Sequence, residues 1–236
     1  MILLIAQSIA IAMYPSMVRN YAEDPESLPQ VVWQSIKYLL IVCLPIAVGG
    51  TILADRIIIT LYEEAFANSI PVLQVILWAL PSLFLLELLG RVANTLNLER
   101  PAARVNVINA GLTVILNLIL VPTMGILGAA LALLGGRTIR LVQYWRLIGN
   151  ERLVSQRWGS LLRVALAAAA MGAAVFFLRQ LPAFGAVDSK VGLLTLIGSG
   201  AVVYGVALLA LGGIERREMA FMLNMVQERL VRASSR

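Results

Sequence analysis

The side chains able to do chemistry are few, and most of them interrupt apolar runs. Asn106, Asn109, Thr113 and Asn117 recur at spacings of three and four, which on a helix confines them to about 80° of the wheel. Such a strip offers amide donors and acceptors either to a polar substrate in a wet cavity or to a neighbouring helix. Glu87, Arg91 and Asn94 follow one another at i, i+4 and i+7. The spacing predicts an ion pair between Glu87 and Arg91 along the helix, although Arg91 could instead reach out to the membrane surface. Arg137 and Arg140 stand one turn apart after Gly135-Gly136, roughly 18 and 22 Å into a run that starts at Gly125. Arg137 has no acid within four residues, and an arginine so deep should face protein or water. Two guanidinium forks on one face match the paired oxygens of a diphosphate.

Other chemistries are excluded. There is no His, which removes the commonest general base and metal ligand. The single Cys, Cys43, can build neither a disulfide nor a thiolate cluster. No phosphate-binding glycine loop, nucleophile motif or metal spacing is present, so no cofactor is expected. The net charge of +6 comes without a basic run interleaved with aromatics, so nucleic acid is not an expected partner.

The elements that must position these residues are membrane helices. Apolar residues make up 60% of the 236, charged residues only 14%, and the mean hydropathy is +0.86, against about 25% charged in a soluble domain. The expected fold is all-α, a polytopic transmembrane helix bundle with about seven membrane segments at roughly 1–18, 36–54, 70–93, 105–121, 125–146, 161–180 and 191–213. Pro122–Thr123–Met124 reads as a tight hairpin, and Asp55–Ser69 and Leu181–Lys190 as short outer loops. Loops so short argue against a glycan polymerase or ligase. No basic residue precedes the first apolar run, so it lacks the lead of a signal peptide and reads as the tail of a helix that begins earlier. Gly128, Ala132 and Gly136, Ala168 and Gly172, and Ala201 and Gly205 are spaced by four, as small residues are where helices approach closely in lipid. Pro45 and Pro81 fall mid-segment, where proline bends a helix. After Gly213, Met219, Met222, Leu223, Val226 and Leu230 share one face of an amphipathic tail rich in Arg.

Charge sets the orientation. With the loop after the first segment inside, the inner positions hold 13 of the 19 basic residues: Arg19, Lys37, Arg100, Arg104, Arg146, Arg152, Arg157, Arg163, Arg216, Arg217, Arg229, Arg232 and Arg236. Arg56, Arg179 and Lys190 lie outside, and Arg91, Arg137 and Arg140 within segments. The bias predicts a cytoplasmic C-terminus.

Several stretches resemble one family. Asn117–Leu134 (NLILVPTMGILGAALALL) resembles a polysaccharide-exporter pattern at Asn117, Pro122, Gly125, Gly128, Ala129 and Ala130. Leu61–Trp78 resembles the family's segment between two helices, with Phe66 and Leu73 in place and Glu63 where the family often has Gly. Tyr14–Arg19 resembles its Pro-x-x-x-Arg helix ending, and Asn97–Pro101 its cytoplasmic turn. The family is the oligosaccharide-lipid flippases of the multidrug/oligosaccharidyl-lipid/polysaccharide exporter superfamily. The resemblance implies two pseudo-symmetric lobes of a 12- or 14-helix transporter, of which this chain is similar to the second. Residues 1–150 would form a partial C-terminal lobe, 151–214 two additional membrane helices, and 215–236 a cytoplasmic tail. A missing N-terminal lobe or partner chain would complete it.

The expected function is thus a non-enzymatic part of a flippase for polyprenyl-diphosphate-linked oligosaccharide in the bacterial inner membrane, with the bilayer and the lipid-linked substrate as partners. The substrate-cavity candidates are Arg137, Arg140, Asn106, Asn109, Thr113, Asn117, Glu87 and Arg91. Two alternatives are a cation-coupled multidrug exporter of the same superfamily and a non-transporting scaffold of a glycan-synthesis complex. The drug exporter would need intramembrane acids, and three Arg against one Glu inside the segments favour an anionic substrate. A reporter fused after Arg236 that is active only outside the cytoplasm should be silent; activity there would invert the whole topology.

Overall fold

The computed structural model describes residues 11, 14–15, 17–149, 158–180 and 190–213. Most of the expected first segment, the outer loop 181–189 and the amphipathic tail lie outside them. Among the described residues six α-helices follow residues 17–23, themselves helical: α1 (Leu28–Ile52), α2 (Ala54–Tyr62), α3 (Ile70–Thr95), α4 (Glu99–Ile148), α5 (Trp158–Leu178) and α6 (Lys190–Ala210). All but α2 are long and apolar enough to cross a membrane.

The α1 helix begins eight residues before the expected start at 36, and it follows directly on a 3-10 turn, Pro25–Ser27, that Asp24 caps. The Asp24 carboxylate accepts from the Glu26 amide at 3.0 Å, and the Ser27 hydroxyl donates to the Asp24 carbonyl at 2.7 Å. Pro25 opens the turn Pro25–Ser27 and Pro29 the first turn of α1, where the missing N–H is harmless. In consequence Lys37 is not a loop residue. It lies about 14 Å along the helix and is 7% exposed, its ammonium 5.9 Å from the Tyr38 ring centroid.

The Asp55–Ser69 stretch is also no simple loop. It holds α2 and a 3-10 segment, Glu64–Ser69. At nine residues α2 is about 14 Å long and cannot cross. Ala54 and Ile58 face inward while Ile59, Leu61 and Tyr62 are exposed. Arg179, just past the end of α5, ties this joint down. Its guanidinium donates to the Ile52 carbonyl at 2.6 Å and to the Asp55 carboxylate at 2.8 Å.

At 50 residues, α4 would span roughly 75 Å if straight, more than twice the hydrocarbon thickness of about 30 Å. It folds back at Gly125, whose φ of 60° and ψ of −135° no L side chain adopts readily. The pivot is one residue beyond the expected hairpin at 122–124, which stays helical. Arms 99–124 and 126–148 run antiparallel, so that α4 makes two crossings.

The helices pack in the order α4, α3, α1, α5, α6. One core joins the first half of α1, the second half of α3 and the α4 arms around Leu39, Phe84, Leu88 and Tyr144. A second joins α1, α5 and α6 around Val164, Met171 and Leu196. Small residues make several of the contacts: Gly128 lies so close to the Leu120 carbonyl that no Cβ would fit, and Gly172 faces Val48 and Ile52. The third expected pair is displaced by one residue. Ala201 is exposed and Gly205 has nothing near it, whereas Gly200 packs on Val175.

Glu63 ends α2 at φ 71°, ψ 170°, a region in which essentially only glycine is unstrained. Glu63→Gly should therefore raise stability by about 1 kcal/mol, after the extra chain entropy that glycine loses, read as a higher Tm in detergent; a lower Tm would show the φ to be unstrained.

Candidate functional site

The expected polar strip on α4 is mostly consumed by the hairpin itself. Asn109 is 5% exposed and its amide donates to the Gly136 carbonyl on the other arm at 2.9 Å. The Thr113 hydroxyl donates to the Asn109 carbonyl at 2.8 Å, and the Asn117 amide to the Thr113 carbonyl at 2.8 Å. For Asn109 the interhelical role wins, and for Thr113 and Asn117 local bonding to the backbone. The latter two border an apolar groove of about 470 Å³ with Val114, Leu118, Val121 and Pro122.

Asn106 differs. Its side-chain carbonyl accepts from the Tyr144 hydroxyl at 3.2 Å, and it lines a polar cavity of about 300 Å³ between the end of α3 and both arms of α4. The same cavity takes Glu87 and Arg91 from α3 and Arg140 from the returning arm. Four of the eight candidates are thus brought together from three helical segments. Arg137, one turn from Arg140, does not line it; it is half-buried, and no hydrogen bond or ion pair engages it among the described residues.

The expected Glu87–Arg91 ion pair does not form. Among the described residues no carboxylate is paired with Arg91, whose guanidinium carbon stands 5.9 Å from the Tyr14 ring centroid. Cation–π contact of this kind holds an arginine without neutralising it. Arg140 keeps its Nε buried and without a hydrogen-bond partner.

Three polar lining residues were not among the candidates: Asn94, Glu99 and Tyr144. Each had a signal. Asn94 continues the face of Glu87 and Arg91, Tyr144 lies one turn after Arg140, and Glu99 opens α4 as an acid in its first turn, where it complements the helix dipole. Glu99 also changes the charge balance. The three-to-one excess of Arg inside the expected segments becomes two Arg and two Glu around the cavity.

Comparison with known proteins settles the family. The family model described as Lipid II flippase MurJ matches residues 2–196. The chain belongs to this family. A solved structure, the lipid II flippase MurJ in an inward closed conformation, is similar over 86% of the chain with a TM-score of 0.68 at 17% identity. The chain spans 43% of the length of that flippase. A comparison with curated proteins finds no match. The expected superfamily stands, but the branch differs: the matched family is named for lipid II, where the sequence resembled the oligosaccharide-lipid exporters. The family is one of flippases, not enzymes. The chain is a multi-pass membrane protein of all-helical fold.

The hairpin that carries the cavity depends on one close approach. A Cβ at Gly136 would fall 2.7 Å from the Thr113 hydroxyl oxygen. Gly136→Ala should destabilise the protein by about 1–3 kcal/mol, the usual cost of overpacking, and Thr113→Ala should restore most of the loss by vacating that space. Thermal unfolding of the two single variants and the double in detergent checks this; an unrescued double variant would place the strain elsewhere.

Proposed function

We propose that the chain is part of a membrane flippase that carries a polyprenyl-diphosphate-linked glycan precursor across the bacterial inner membrane, lipid II being the member of that class for which its family is named. The family match over residues 2–196 carries this reading. The cavity between α3 and α4 supports it as a place for the polar head group. It holds guanidinium and amide donors at one end of an otherwise apolar bundle, and no bond need be made or broken there. We read residues 1–150 as part of the C-terminal lobe, 151–214 as two further membrane helices, and 215–236 as a cytoplasmic amphipathic tail.

A second lobe, on another part of a longer chain or on a partner, would complete the transporter. The α4 hairpin leaves Val107, Leu118 and Ile126 more than 70% exposed, a surface to be covered by lipid or by that lobe. Two lobes rocking about a shared cavity would give alternating access. Residues 1–236 alone should then fail to restore growth to a strain depleted of its own flippase.

Within the complete transporter Arg140→Ala should lower precursor flipping by about tenfold, the scale of a lost charge-assisted pair of donors, while the membrane level is kept. Arg140→Lys should rescue partly, since a point charge lacks the fork. Arg137→Ala should cost less, because Arg137 is outside the cavity. The readout is outward exposure of the lipid-linked precursor in depleted cells. Wild-type flipping by stable Arg140→Ala would remove the cavity from the transport path.

A further inference from the structure

The cavity between α3 and α4 carries equal numbers of opposite charges that do not neutralise one another. Glu87, Arg91, Glu99 and Arg140 all line it, and among the described residues none of the four is in an ion pair. Glu99 and Asn94 are exposed at the rim of the cavity, where water screens such charges and lets them stay unpaired. Arg91 lies beside the Tyr14 ring, and Arg140 keeps a buried Nε without a partner. The amide of Asn106 is also oriented. Because its oxygen accepts from the Tyr144 hydroxyl, its NH2 is the end left for a ligand.

The set therefore offers two guanidinium groups and an amide donor to an oxyanion, and two carboxylates to a cation, all within about 300 Å³. That volume is at the lower end of ligand pockets and suits a small head group. Its place along α3 suits one too. Glu87 to Asn94 lie roughly 25 to 36 Å from Ile70, where a hydrocarbon core of about 30 Å gives way to head groups.

We infer that this cavity binds a zwitterionic head group, its oxyanion held by Arg91, Arg140 and Asn106 and its ammonium by Glu87 and Glu99. The inference rests on the reading of the cavity as a head-group site and narrows it. A purely anionic ligand would leave the two carboxylates repelling it. The zwitterion has two sources, a bilayer lipid of the phosphoethanolamine type or an amine-bearing lipid-linked precursor, and one chemistry serves both.

The test uses the purified protein in detergent, with phosphatidylethanolamine, N-acetylated phosphatidylethanolamine and phosphatidylglycerol added in turn, and bound lipid counted by native mass spectrometry. The free amine should be retained about tenfold better than its acetylated form, the scale of one charge-assisted hydrogen bond. Glu87→Gln should erase that preference while leaving phosphatidylglycerol retention no weaker. Glu99→Gln, at an exposed edge of the cavity, gives a second variant should the first be poorly folded. Displacement of phosphatidylethanolamine by an amine-bearing precursor would identify the precursor as the source, and retention against it the bilayer lipid; either outcome upholds the zwitterion. Equal retention of the free and acetylated amines, or a preference untouched by both Gln variants, would overturn it. Precursor flipping by the complete transporter in depleted cells, measured in parallel, separates the two readings: flipping without amine discrimination sinks only this inference, and amine discrimination without flipping sinks only the transport reading.

Discussion

Hydrocarbon has no hydrogen bond to offer a peptide carbonyl, so a carbonyl freed by a departure from a regular helix gains from a donor on a neighbouring helix. Pro45 is the plainest instance. It has no N–H, which leaves the carbonyl of Ile41 without its helical partner; the Tyr204 hydroxyl, from α6, donates to that carbonyl at 2.9 Å. At the end of α1 the Ile52 carbonyl is taken up by Arg179, just past α5. In the α4 hairpin the Gly136 carbonyl takes the Asn109 amide. The polar side chains that look functional in an apolar chain are therefore largely committed to the backbone, and they fix which helices are neighbours.

The polar cavity is what remains after those commitments. It forms where α3 ends and α4 begins, beside the returning arm. There the chain leaves the apolar interior and charged groups can be hydrated or can meet a head group. The hairpin brings Arg140 and Tyr144 opposite Asn106 only because Gly128, Ala132 and Gly136 let the arms approach closely. Packing of small residues and placement of the charged groups are one constraint: a bulkier residue in the seam would move the arginine away from α3.

On the far side of the bundle the same helices enclose an apolar space of about 500 Å³ lined by Pro45, Gly49, Gly50, Met171, Gly200 and Tyr204. Glycines on α1 and α6 leave room there, while Tyr204 closes it by its bond to Ile41. The molecule thus separates a charged cavity at one end of α3 from an apolar one between α1, α5 and α6.

Composition and hydropathy alone determined that this is an all-helical membrane bundle, and six of its expected segments lie within two or three residues of helices or helix arms at one or both ends, because burial in lipid demands runs of about 20 apolar residues whatever their neighbours. The resemblance carried by Asn117, Pro122, Gly125 and Gly128 reached the superfamily, since those residues build a turn that few other sequences can make. Helix starts were less legible: the 3-10 turn capped by Asp24 leads into α1 eight residues early and makes Lys37 a buried helix residue, not a loop residue, and such a turn leaves little trace in hydropathy. The candidate site was legible only in half. Wheel arithmetic gave Asn106, Asn109, Thr113 and Asn117 one face, but it could not say that Asn109 would meet the other arm while Asn106 met Tyr144 and the cavity. Nor could spacing foresee that Glu87 and Arg91, correctly placed to pair, would line one cavity unpaired, with Arg91 beside the Tyr14 ring. Those outcomes depend on which residues thirty or fifty positions away are folded against them, and a period along one helix contains no information about its partner.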